Sequence, residues 1–226
     1  VDGEGRADPA TPLNPGTRLV SLMWANNETG TVQDVAAMAD RAREAGALFH
    51  TDAVQAAGKL AVDFRASGAH MLTLSGHKIH GPKGVGALVA DRAVELQPLV
   101  SGGGQERGLR AGTESVAAIA GFGAAAELAR ERREEDAAHV RALREALERE
   151  LQALPGLAVF GAGAERLPNT VFFGVAGVDG ETLLMQLDRE GVAVSSGSAC
   201  ASGKTGPSHV LTAMGVDEDT ARGAVR

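Results

Sequence analysis

The sequence predicts an α/β protein: a mostly parallel sheet flanked by helices, followed by a smaller α+β domain that a long helix joins to it. Three observations carry the prediction. Short apolar runs recur through the first ninety residues, with a helix-period stretch between the first two, which is the order of a parallel layer. Residues 114–154 contain no Pro, and no Gly after Gly123. Beyond Pro155-Gly156 the apolar runs are short again. The boundaries that follow are 1–113 for the first domain, 114–154 for the connecting helix and 155–226 for the second domain.

The elements are justified in order. Pro9, Pro12 and Pro15 mark an irregular lead-in. Residues 19–24 read as a buried strand that opens into the loop Asn26-Asn27-Glu28-Thr29-Gly30. Thr31 then caps a helix in which Val32, Val35, Ala36, Ala39 and Ala42 fall at helical spacing, up to Gly46. Residues 47–51 form a second strand ending at Asp52, residues 69–74 a third and residues 85–90 a fourth. In the long helix Leu143, Leu147, Leu151 and Leu154 recur on one stripe, too briefly to argue for a coiled coil over a connector. The C-terminal domain reads as strands at 157–160 and 169–173, a helix at 181–190 and a strand at 192–194.

Composition excludes several function classes. One Cys cannot build a disulfide framework or a cysteine-rich zinc site, and it fits a reducing, cytoplasmic compartment. With 22 Lys+Arg against 29 Asp+Glu, and no basic run interleaved with aromatics, nucleic acid is not an expected partner. No stretch approaches the roughly 18 apolar residues of a membrane span, and the N-terminus lacks a signal-peptide pattern. The chain starts with Val rather than Met, as a chain whose natural N-terminus lies upstream would.

Lysine usage is the sharpest clue. Only four of the 22 basic residues are Lys, and two of them, Lys78 and Lys83, fall in one Gly-rich turn. Unlike Arg, Lys loses its proton when desolvated and then attacks carbonyls. A solvated surface turn is the competing reading. No phosphate-loop pattern can be drawn through the turn, and His77 and His80 lack a third zinc ligand at recognisable spacing. Asp52 shifts the balance, although an isolated Asp after a strand is also an ordinary capping residue. An amine and a carboxylate at neighbouring strand ends are the pair that pyridoxal phosphate (PLP) requires: one holds the aldehyde, the other keeps the pyridine nitrogen protonated. Gln55 is placed to reach the phenolic oxygen, and Ser75, His77 and Thr113 are donors suited to a phosphate. Cys200 sits in a Ser/Gly-rich loop without the apolar flanks of a structural cysteine, so inert filler and nucleophile both remain open.

Five strings, in order, carry a resemblance: Asn26-Asn27-Glu28-Thr29-Gly30; His50-Thr51-Asp52-Ala53-Val54-Gln55; Ser75-Gly76-His77-Lys78 with Gly81-Pro82-Lys83-Gly84; the Gly102 to Thr113 stretch; and Ser195-Ser196-Gly197-Ser198-Ala199-Cys200. Together they resemble the cysteine desulfurases of the NifS/IscS type, in the class V aminotransferase group of fold-type I PLP enzymes. The resemblance implies that Lys78 is the Schiff-base lysine, Asp52 the partner of the pyridine nitrogen and Gln55 that of the ring oxygen. Ser75 and His77 would bind the phosphate, with His77 also among the catalytic residues, and Thr113 would reach the phosphate of a neighbouring subunit in a homodimer. Asn27, beside the cofactor, and Arg226 would hold the carboxylate of L-cysteine. Cys200 would take the substrate sulfur as a persulfide and pass it to an acceptor or scaffold protein. No resident metal is implied, and Cys200 would touch a nascent iron–sulfur cluster only during transfer.

The chain also departs from that family. Only 26 residues precede Asn27, and none of the six His lies before His50, so the family's N-terminal phosphate-binding turn and ring-stacking His are missing. The family also continues past the position of Arg226. The expectation is a fragment of a longer enzyme. A selenocysteine lyase, another class V aminotransferase or lyase, and a catalytically incomplete interaction module are the alternatives.

Overall fold

The computed structural model describes residues 1–196 and 206–226. Cys200 lies outside the described residues. The chain divides into two units, each drawn from separated stretches: Val1–Pro12, Met23–Asp34 and Glu134–Arg226 in one, Leu13–Leu22 and Val35–Arg133 in the other.

The unit holding Val35–Arg133 is built on a four-stranded sheet, ordered β1 (Leu19–Met23), β2 (Leu48–Asp52), β3 (Met71–Ser75) and β4 (Gly86–Ala90). Strands β2 and β3 run parallel, with Asp52 opposite Thr73. Strand β4 returns antiparallel to β3, with Ser75 opposite Gly86. The α/β class therefore stands, with a mixed sheet. The reason for the reversal is length: ten residues separate β3 from β4, fewer than a parallel crossover needs. Helix α1 (Val35–Glu44) buries Val35, Met38, Ala39 and Ala42, the i, i+3, i+4, i+7 face that its spacing predicts. Phe49 of β2 and Leu72 of β3 are among the fully buried side chains.

Helix α1 starts three residues later than expected, at Val35 rather than Val32. Thr31 caps nothing; it is buried and bridges to Arg166, while Val32 bridges to Ala25. Gly30, at φ 77°, turns the chain so that the Val32 N–H reaches the Glu165 carbonyl at 2.8 Å, and residues 31–32 pair as strand before the helix begins.

Helix α2 (Val116–Gln152) is 37 residues long, about 55 Å at 1.5 Å per residue. Its leucine stripe is not its buried face: Leu143 and Leu147 are half exposed. Arg144 and Glu148 face inward instead. Arg166 donates to both Glu148 oxygens, at 2.7 and 2.9 Å, and Arg144 donates to the Leu167 carbonyl at 2.8 Å. Pairing and hydrogen bonding are what allow those charges to be buried.

In the unit holding Glu134–Arg226, β5 (Leu157–Val159), β6 (Phe173–Val175) and β7 (Ala224–Val225) form an antiparallel sheet. Residues 192–194, expected as a strand, have no regular structure, and β7 takes the third place in the sheet. Helices α3 (Gly180–Arg189), α4 (His209–Ala213) and α5 (Glu218–Arg222) each begin at a side-chain cap: Asp179, Ser208 and Asp217 accept backbone N–H groups. Phe160, Phe172, Leu211, Met214, Ala221 and Ala224 form the core, the two phenyl rings edge to face at 5.2 Å. Among the described residues no helix is long and apolar enough to cross a membrane.

Candidate active site

The parallel pairing of β2 and β3 brings two chemistry-bearing ends to one sheet edge. Asp52 is the last residue of β2, and Ser75, the last of β3, leads into a one-turn 3₁₀ helix, Gly76–Ile79, that carries Lys78. Adjacent strands lie roughly 4.8 Å apart, so the carboxylate and the amine-bearing turn share a small region of surface. Asp52 Oδ1 accepts the Val54 N–H at 2.9 Å, which fixes the carboxyl group at the strand end. The capping reading and the functional reading of Asp52 are thus compatible.

The Lys78 turn is clamped by glycine. The Gly76 N–H bonds to the Val85 carbonyl and the Gly81 N–H to the Gly76 carbonyl, both at 2.9 Å. A Cβ on Gly76 would stand 2.9 Å from Val85 Cγ1, and one on Gly86 would stand 2.6 Å from the Leu74 carbonyl oxygen. The close approach lets ten residues reverse the chain while Lys78 and His77 stay exposed and Ile79 is buried. Ser75 Oγ and His77 Nδ1 lie 2.7 Å apart, so the two expected phosphate donors are already paired with each other. Gln55 uses its carbonyl to accept the Lys59 ammonium at 3.0 Å, and its side chain is half buried near the strand end. Thr113 is exposed in the loop before α2.

Lys59 has a second relationship that the sequence does not reveal. Burial, and then the nearby Lys78 ammonium, hold its pKa below the ordinary lysine value. The turn therefore concentrates two amines. Two further histidines of this unit are held in structural bonds: His50 bridges Ser21 Oγ at 2.8 Å and Thr73 Oγ1 at 3.2 Å, and His70 Nδ1 accepts the Phe49 N–H at 2.9 Å. No cluster of three or more His, Cys, Asp or Glu suited to a metal occurs among the described residues.

In the other unit the structure brings together Asn27 and Arg226, 199 positions apart: the Arg226 guanidinium donates through Nη1 to the Asn27 carbonyl. The loop presenting Asn27 is held by Asn26, whose Oδ1 accepts the Glu28 and Thr29 N–H groups at 2.8 and 3.0 Å. Arg226 is fixed by its own backbone, which exchanges two hydrogen bonds with Ser195 at 2.7 and 2.9 Å. A guanidinium so held keeps further N–H groups to offer a carboxylate. Next to Asn27, Glu28 is 1% exposed and accepts a hydrogen bond from the Ser208 hydroxyl. Neither Glu28 nor Ser208 stood out in the sequence, where the only signal was Glu28's place in the Asn26–Gly30 string.

The residues present fit a PLP group by their chemistry: an amine in a turn that only glycine can close, a carboxylate at the neighbouring strand end, and a hydroxyl–imidazole pair beside the amine.

Comparison with known proteins agrees. The family model for aminotransferase class-V matches residues 2–226. A cysteine desulfurase of Gluconacetobacter diazotrophicus is 53% identical over 230 residues, spanning 100% of this chain and 58% of its own length. Cysteine desulfurase NifS of Azotobacter vinelandii is 48% identical, spanning 100% and 57%. Among solved structures, a NifS-like protein from Rickettsia africae superposes with a TM-score of 0.89 at 35% identity, covering 100% of this chain and 61% of its own. SspA in complex with cysteine gives 0.81 at 33%, covering 100% and 63%. The chain thus spans less than two thirds of the length of each of these relatives.

Proposed function

This chain belongs to the class V aminotransferase family, and from that premise we propose that the protein is a PLP-dependent cysteine desulfurase. Its substrate is L-cysteine, and its products are L-alanine and a sulfur atom carried on Cys200 for iron–sulfur cluster or thio-cofactor assembly. The observation that supports this most is the shared edge of β2 and β3, where Asp52 and the Lys78 turn meet.

Each residue then has a task. When bound, PLP supplies an electron sink that stabilises negative charge at the substrate Cα. Lys78 Nζ would hold the cofactor aldehyde, and its free amine would be the base that moves the substrate Cα proton. Asp52 would keep the pyridine nitrogen protonated, and Gln55 would bond the phenolic oxygen. Ser75 and His77 would bind the phosphate, and Thr113 would reach the phosphate in a second copy of the chain; the proposed working form is a homodimer, and its proposed compartment is the cytoplasm. Asn27 and the Arg226 fork orient the substrate carboxylate. The Cys200 thiolate attacks the substrate sulfur; the S–Cβ bond breaks with its electron pair going to carbon, a proton completes alanine, and Cys200 keeps the sulfur as a persulfide.

The test uses the full-length protein. Its visible absorbance should change on addition of L-cysteine, with alanine released and a persulfide on Cys200, and Lys78→Ala should abolish both the absorbance and the activity. Release of alanine and sulfide by Cys200→Ala at the wild-type rate overturns the reading.

A further inference from the structure

Residues 165–167 pair with the base of the Asn27 loop, within the unit that holds Met23–Asp34 and Glu134–Arg226. They run antiparallel to residues 30–32, with a bridge at Thr31 and Arg166. The Val32 N–H donates to the Glu165 carbonyl and the Leu167 N–H to the Gly30 carbonyl, both at 2.8 Å. The Thr31 carbonyl in turn accepts the Asn26 N–H at 2.9 Å, and the Gly30 N–H reaches the Asn26 carbonyl at 3.0 Å. Fixing Thr31 therefore fixes both ends of the loop whose Asn27 carbonyl receives Arg226.

Two bonds and one bridge make a short ladder, and a ladder that short specifies its register weakly. Side chains of α2 supply what it lacks. Arg166, the middle residue of the strip, sets its fork on both Glu148 oxygens, and Arg144 donates to the carbonyl of Leu167, the next residue. Two guanidiniums thus serve one buried carboxylate, with Arg144 Nε 3.8 Å from Glu148 Oε1. Apolar side chains of similar volume commonly stabilise a fold as well as a buried ion pair does. What the fork adds is direction: it holds Arg166 at one distance and one angle from α2.

From this geometry we infer that Glu148 and Arg166 are positioning residues for the substrate carboxylate. Their pair locks the 165–167 strip on α2, the strip locks Thr31, and Thr31 holds the loop that presents Asn27 to Arg226. Neither residue touches substrate or cofactor in this assignment; they act through the Asn27 loop. The inference rests on the desulfurase reading for the ligand, and on hydrogen bonds among the described residues for the linkage.

The experiment uses Glu148→Gln in the full-length enzyme, a change that keeps the size and one acceptor but ends the charge pair. Two substrates are compared, L-cysteine and its methyl ester, which has the thiol and the amine but no carboxylate. Glu148→Gln should raise KM for L-cysteine about tenfold, with KM for the ester and kcat for both within about twofold, the pattern of a displaced binding group. A second readout needs no turnover. Hydrogen exchange at the Val32 and Leu167 amides should quicken about tenfold or more, while exchange at Met214 and Val216, at the core of the same unit, stays within about twofold. Should Glu148→Gln fail to fold, Arg166→Lys, which keeps the cation and loses the fork, is read in the same two assays. Wild-type values in either assay overturn the inference. So does a KM that rises equally for the ester, or exchange that quickens equally at Met214 and Val216, which is general loosening. If wild type itself moves no sulfur from L-cysteine, the desulfurase reading falls, and the exchange comparison still decides whether the pair holds the loop.

Discussion

The Lys78 turn and the Asn27–Arg226 circuit position chemistry by opposite means. In the first, residues 75–86 close on themselves through glycines that no larger residue could replace, so the exposed amine is placed by local backbone geometry. In the second, the contacts join residues 180 and 199 positions apart, so placement depends on the whole unit being folded. A local turn tolerates change elsewhere but little within it. A long-range circuit tolerates change in its loops but requires each partner.

The largest effect that tests this contrast is chemical. Lys78→Arg keeps the charge in a turn that still closes but removes an amine able to deprotonate, so cysteine turnover should fall by at least about a thousandfold. Arg226→Lys keeps a cation but loses the fork. It should raise KM for L-cysteine by about tenfold to a hundredfold, in line with the roughly 1.5–3 kcal/mol of a charge-assisted hydrogen bond. Equal losses in the two variants would erase the distinction. Next come two stability tests, one in each unit. Glu148→Ala strands the buried Arg166 guanidinium and should cost about 3–5 kcal/mol in denaturant unfolding. Gly86→Ala forces a Cβ against the Leu74 carbonyl, which cannot move without breaking the β3–β4 ladder, and should cost about 1–3 kcal/mol.

The smallest expected effect concerns Lys59. Its pKa is lowered by burial and by Lys78, so in the window between that lowered value and lysine's usual value of about 10.4 the unfolded chain binds more protons than the folded one. Stability of the apoprotein therefore rises with pH across that window. Lys59→Met removes the buried amine. It should be more stable than wild type at neutral pH, with the advantage shrinking as the solution becomes alkaline; a constant difference in Tm would contradict the assignment.

Legibility from sequence follows the same division. The sheet-and-helix order, the strand ending at Asp52, the glycine-closed Lys78 turn and the long helix are written in local chemistry: apolar runs, turn residues and the absence of Pro. What escaped is what tertiary pairing overrides. Thr31 has the composition of a cap, yet Gly30 folds it back onto Arg166. Residues 192–194 have the composition of a strand, yet β7 holds the third place in that sheet. The leucines of α2 mark a stripe, but the face turned inward carries Arg144 and Glu148, and the arginine that pairs with both Glu148 oxygens, Arg166, is 18 positions away. Glu28 and Ser208 could not be paired by any spacing rule, because nothing local links them.

The hairpin between β3 and β4 has a consequence for recombination between family members. Ser75 pairs with Gly86, and the Gly76 N–H bonds to the Val85 carbonyl, so the connection carries no slack residue at its base. An insertion or deletion of one residue inside it would shift the register of β4 and turn each of its side chains to the other face of the sheet. Chimaeras should therefore keep the length of residues 75–86 unchanged and take their insertions in the loops outside it.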